Sequence, residues 1–154
     1  MSAIEPITWR CLPFDALRAR TLYRLLQLRT EVFVMEQNCA FQDMDGADPA
    51  CFHLLGESVD GAILGYARLV PAGLKFPEVS IGRVISAQAA RGTGIGHGLM
   101  RRAVHAAHGL WGVQPIRIGA QARLQAFYRQ HGFEPASDLY LEDGIDHIEM
   151  LRAA

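Results

Sequence analysis

Three cysteines, Cys11, Cys39 and Cys51, are all the chain has, and none stands in a CxxC spacing. An odd number without that spacing excludes a disulfide framework and a cysteine-based zinc site, so all three read as reduced, small buried hydrophobes. Long hydrophobic runs are missing too. No stretch approaches the roughly 20 apolar residues of a membrane span, although 50% of the 154 residues are hydrophobic and 20% charged, a globular balance. The opening Met1–Pro6 has neither the basic nor the apolar part of a signal peptide, so a cytoplasmic protein with no membrane partner is expected. The third absence is of acid. No Asp or Glu occurs from Val79 to Phe133, where seven arginines fall, leaving eight basic and all sixteen acidic residues to the rest. A chain of formal net charge −1 thus sets a +7 segment against a −8 remainder, which points to a focused anionic ligand. Nucleic acid is disfavoured, because no aromatic–basic interleaving or helix-turn-helix pattern accompanies the arginines.

The length fits a single domain, 1–154. Ile7–Leu12 reads as a short strand. Pro13 and Asp15 look like a helix entry with Asp15 as N-cap, and Leu22, Leu25, Leu26, Arg29, Val32 and Phe33 keep a helical stripe up to about Met35. The polar segment Asn38–Pro49 reads as a loop. Phe52–Glu57 and Ala62–Val70 flank Asp60-Gly61, a hairpin signal. Val79–Ile85 is a strand whose internal Gly82 marks a bulge or a close backbone approach. A helix over Gly94–His108 places Ile95, Leu99, Met100, Ala103, Val104 and Ala107 on one face. Pro115–Ala120 is a strand, Ala122–His131 a short helix ended by Gly132, and Ala136–Leu141 and Ile145–Leu151 are strands joined at Glu142-Asp143-Gly144. The order is that of an α/β (α+β) domain on one mixed sheet.

The most informative segment is Arg91-Gly92-Thr93-Gly94-Ile95-Gly96, between a strand and an amphipathic helix. Glycines allow positive φ and close approach, so successive N–H groups converge on an anion. The helix start adds unpaired N–H groups and a positive dipole end, which together suit a pyrophosphate. Gly-Lys-Ser/Thr is absent, excluding a Walker A loop. The glycines also miss the GxGxxG spacing, and no acid follows about 20 residues later to hold a ribose.

Arg91, Gly94 and Gly96 resemble the phosphate loop of the GNAT N-acetyltransferase superfamily. Phe127-Tyr128-Arg129-Gln130-His131-Gly132-Phe133 matches its downstream signature. The segments 28–37, 43–48, 53–56 and 82–85 are similar to the ElaA-type branch, so the resemblance covers nearly the whole chain. It implies a mixed, mostly antiparallel sheet with a splayed, bulged central strand, and acetyl-CoA as cofactor. It places the backbone N–H groups of Val84 and Ile85 near the thioester carbonyl. Backbone groups of Arg91, Gly92, Thr93, Gly94, Ile95 and Gly96 would lie on the pyrophosphate. Tyr128 would be the general acid for the departing thiolate, protonated at neutral pH because a phenol ordinarily titrates near about 10. Dimers are common among such proteins, so a homodimer is one expected assembly.

The acceptor side is less defined. A primary amine must lose a proton before attack, at a cost near neutrality of roughly 4.6 kcal/mol. Many relatives supply a carboxylate from the bulged strand, but Ser80, Ile81, Gly82 and Arg83 offer none. Glu36, Asp45, Glu78 and His147 remain candidates, and the base stays unassigned. Asp43–Asp48 is an acidic loop beside a cationic substrate or a turn held by Asp side chains. It is not an EF-hand, which needs Gly at position 6 and Glu at position 12, and no residues have metal-ligand spacing. The expected activity is acetyl transfer to a small-molecule amine. A protein or peptide acceptor and a non-catalytic acyl-CoA-binding module are the alternatives.

Overall fold

The structure is a computed structural model and describes residues 6–154; nearly all of the segment read for signal-peptide features lies outside them. Strands β1 (Thr8–Pro13), β2 (Phe52–Glu57), β3 (Ile63–Val70) and β4 (Val79–Ser86) form an antiparallel run in sequence order. β4 then pairs in parallel with β5 (Ile116–Gln121), and β5 pairs antiparallel with β8 (Ile145–Arg152). The far edge of β8 carries two short strands, β6 (Phe133–Pro135) and β7 (Tyr140–Glu142). Eight strands thus make one mixed sheet.

Helix α1 (Ala19–Arg29) continues into a π-helical turn, Thr30–Glu36. Asp15 is not its N-cap. The chain makes a 3₁₀ turn over Phe14–Ala16, becomes extended at Leu17 and Arg18, and only then enters α1 with Arg18 as N-cap. The long crossover α2 (Ile95–Trp111) outruns its predicted end by three residues and stops at Gly112, φ +86°. All six residues assigned to its apolar face are buried, and all but Ile95 pack with β3, β4 and β5 into the main core. A smaller core, centred on Leu25, Leu55, Tyr66 and Ile85, lies under α1.

Two other segments differ from the sequence reading. Ala122–His131 is not one helix but a 3₁₀ turn, Ala122–Leu124, followed by the short α3, Gln125–Arg129. Ala136–Leu141 is not one strand, since pairing with β8 lapses between Pro135 and Tyr140. There the Ser137 hydroxyl accepts from the Glu149 N–H at 2.9 Å, replacing a ladder bond with a side-chain bond.

Strand β4 is irregular on both of its edges. Its pairing with β5 is confined to Val79 with Ile116 and Ser80 with Arg117, after which the strands part. Opposite β3, Tyr66 pairs with Ile85 and Arg68 with Gly82, so β4 carries one extra residue, a β-bulge. The bulge that Gly82 marks in the sequence is present, and its left-handed residue is Arg83, φ +50°.

Candidate active site

The splay between β4 and β5 opens two clefts that meet at Phe33, Val84 and Tyr128. One, about 1120 Å³ of partly solvent-open space, runs along Val84, Ile85 and Ser86 to Arg91 and Gly96. The other, about 750 Å³, is lined by Gly82, Arg83 and Val84 of β4, Gly119 and Gln121 of β5, and His147 of β8. Tyr128 lines both. It is 7% exposed, its ring edge-on to Phe127 and Phe133. Burial pushes its phenol up to about 12, with Arg123 pulling weakly the other way. The Tyr128 hydroxyl is therefore protonated at neutral pH.

At the first cleft's outer end, Gly92 and Gly94 hold φ of +81° and +82°, and Gly94 is the N-cap of α2. A Cβ at either glycine would project into open space, so nothing in the protein blocks close approach to their backbone or to the first turn of α2. Thr93 Oγ1 pins the loop through the Ala90 carbonyl at 2.5 Å. The Arg91 guanidinium is turned away to Glu36 at 2.8 and 3.2 Å and to the Ser86 carbonyl at 3.0 Å, which leaves only its backbone to face the loop's open side. A glycine loop at one end, the edge of β4 that has parted from β5 along the side and a buried phenol at the other fit an elongated acyl-CoA.

The same conclusion comes from known proteins. The acetyltransferase (GNAT) domain family matches residues 26–153. This chain belongs to the GNAT acetyltransferase family. It is 43% identical to protein ElaA of Escherichia coli over 148 residues, 95% of this chain and 96% of that protein. A UPF0039 protein of Synechocystis is 36% identical over 145 residues, covering 94% of each. The solved acyl-CoA N-acyltransferase from Pseudomonas aeruginosa superposes with TM-score 0.90 at 47% identity over 96% of this chain and all of that one. The crystal structure of E. coli ElaA gives 0.89 at 42% identity over 96% and 99%. The fold is that of the GNAT acyl-CoA N-acyltransferases, a family that binds acyl-CoA.

Within that GNAT frame the acceptor-side candidates separate. Glu36 is ion-paired to Arg91 at the mouth of the first cleft. Glu78 is held by Arg117 at 3.0 Å, and that hydrogen bond keeps its carboxyl below the usual range. Asp45 accepts from Arg68 at 2.9 and 3.0 Å and pairs with Lys75 at 2.9 Å. Burial pushes Asp45 up, but the Arg68 and Lys75 contacts outweigh it and the net shift is down. His147 differs from all three. Its Nδ1 lies 2.7 Å from the Ile145 carbonyl, which only accepts, so Nδ1 carries the proton and the neutral ring keeps its lone pair on Nε2. Nε2 lies 3.4 Å from Glu142 Oε2, and both side chains line the second cleft.

The sequence reading missed a buried ion-pair cluster beside this cleft. Arg29, 0% exposed, bonds Asp43 at 2.7 Å and Asp48 at 2.8 Å, Arg68 bonds Asp45 and Asp48, and Arg83 bonds Asp43. The acidic loop is thus a turn, with Asp45 Oδ1 accepting from the Ala47 N–H at 3.1 Å, and most of its charge is neutralised from within. The available signal was an arginine lying on the apolar stripe of α1. His53 is likewise structural, bonded to the Tyr66 hydroxyl at 2.6 Å and the Asp48 carbonyl at 3.0 Å. Among the described residues no group of three or more His, Cys, Asp or Glu could hold a metal. No helix among them is long and apolar enough to cross a membrane.

Proposed function

We propose that the protein is a cytoplasmic, acetyl-CoA-dependent N-acetyltransferase acting on a primary amine of a small molecule, the whole chain working as one domain. One observation carries this reading: Tyr128 stands where the clefts meet, with the phosphate loop on one side and His147 on the other. Acetyl-CoA supplies an activated acetyl thioester. The amides of the Arg91–Gly96 loop bind its pyrophosphate, and the N–H groups of Val84 and Ile85 orient and polarise its carbonyl.

The amine enters from the second cleft. His147 Nε2 takes its proton, and Glu142 at 3.4 Å then faces the resulting imidazolium. A C–N bond forms as the C–S bond breaks, Tyr128 delivers its proton to the departing sulfur, and the phenolate left behind takes the second proton from the acylated nitrogen. The small size of the acceptor is supported by a contact across the cleft, where Cys39 Sγ donates to the Asp143 carbonyl at 3.2 Å, narrowing the entrance between the 38–48 loop and the β7–β8 turn.

The test is a thiol-release screen with acetyl-CoA against diverse amines and peptides. Turnover is expected with small primary amines, and His147→Gln is expected to lower kcat by about 10²-fold while leaving CoA affinity within twofold. A screen in which only peptides react would refute the small-molecule assignment, and a fully active His147→Gln would remove His147 from the proton path.

A further inference from the structure

The bulge in β4 is built on a residue that disfavours its own conformation. Arg83 sits at φ +50°, and left-handed backbone costs an L-residue roughly 1–2 kcal/mol. Gly82, next to it and free of that cost, does not have positive φ. Contacts outside the sheet hold Arg83 in place. Its Nε donates to Asp43 Oδ1 at 2.9 Å and its Nη2 to the Asp43 carbonyl at 3.0 Å. The guanidinium also lies over Phe33 and Phe41, 6.0 and 5.7 Å from the ring centres.

Asp43 is itself fixed from the opposite side. Its Oδ2 accepts from Arg29 Nε at 2.7 Å, and Arg29, fully buried, is anchored on Asp48 at 2.8 and 3.2 Å. Contacts therefore run from α1, through the 38–48 loop, to the bulge. The bulge leaves Val84 without a partner in the β3 register, beyond the point where β4 leaves β5, and lining both clefts.

We infer that Asp43 is a positioning residue for acyl transfer: through Arg83 it fixes the bulge and so sets where the backbone N–H of Val84, a residue without a partner in the β3 register, meets the acyl carbonyl. The inference rests on the acyl-CoA reading of the first cleft and assigns a role to an acid that touches neither reactant. A bulge free to relax still binds the nucleotide end of the cofactor, so the effect belongs to the acyl group alone.

The experiment measures Kd for acetyl-CoA and for CoA by calorimetry, giving the preference for the acylated form without any acceptor. Wild type is expected to prefer acetyl-CoA. Asp43→Asn and Arg83→Gln are each expected to reduce that preference about fivefold, the equivalent of about 1 kcal/mol, with the Kd for CoA changing less than twofold. The double variant is expected to match the single ones, because both act through the same contact. Should Asp43→Asn fail to fold with Arg29 left underpaired, Arg83→Gln, which keeps the Arg29–Asp43 pair, carries the test. Equal affinities in wild type, an unchanged preference in Arg83→Gln, or parallel weakening of both ligands would each overturn the positioning role. A wild type that binds neither ligand would instead refute the acyl-CoA reading.

Discussion

Tyr128 is one oxygen away from being an ordinary core aromatic. Its ring packs against Phe127 and Phe133 whatever its hydroxyl does, so Tyr128→Phe is expected to keep thermal stability and CoA affinity. What it removes is a donor required only while negative charge gathers on sulfur, a transition-state interaction. General acid catalysis is worth about 10²–10⁴-fold, and a thiolate, with ordinary pKa near about 8.5, is already a fair leaving group. The expected fall in kcat is therefore about 10²-fold. Single-turnover acyl transfer by wild type and variant decides the matter: equal rates in a stable variant would leave Tyr128 only its packing role. The phenol, pushed up to about 12 by burial, stays protonated across the neutral range, so any fall in rate between pH 6 and 9 must come from another group.

Among the elements, the 38–48 loop depends most on charges brought from elsewhere. Burial raises the Asp48 carboxyl, but the Arg29 hydrogen bond and charge, with help from Arg68, outweigh it and leave Asp48 below its ordinary value. A carboxyl depressed on folding contributes stability that is fully present above its unfolded pKa, about 3.9. That contribution is lost as pH falls through the folded value. Arg29→Met keeps much of the side-chain volume but leaves Asp43 and Asp48 short of their buried cation, and breaking such a pair costs about 3–5 kcal/mol. Urea unfolding at pH 7 is expected to show a loss of that size, and at pH 3 a smaller one, because the carboxyls can protonate in the variant. A gap of equal size at both pH values would mean that Arg29 acts through packing alone.

At the scale of the whole molecule, the sheet is two antiparallel halves joined at two residue pairs, and a ligand in the splay bridges them. Acetyl-CoA at 100 times its Kd is expected to stabilise the fold by about 2.7 kcal/mol, a rise in Tm of roughly 5–10 °C for a chain of this length. Gly94→Val, forced to φ +82° with its side chain in the open space over the loop, is expected to lose most of that rise. A full rise in a folded Gly94→Val would place the pyrophosphate elsewhere. The sequence determined by itself what depends on near neighbours. The apolar face of α2, the hairpin at Asp60-Gly61, the glycine loop and the signature around Tyr128 all arise from periodicity and turn chemistry within a few residues, and they carried the family with them. Only the tertiary structure decided where the charges went. Arg83, Arg91 and Arg117 come from the acid-free segment, yet each is neutralised by an acid distant in sequence, so the +7 against −8 partition describes the chain more than the surface. Glu36, Glu78 and the 43–48 loop were left open for the same reason. An ion pair forms between residues 14 to 55 positions apart, and no local pattern records which partner the fold will bring within 3 Å. The left-handed φ of Arg83 inside the bulge belongs to the same class, since a left-handed arginine is tolerable only where Asp43 and two aromatic rings wait to receive its side chain.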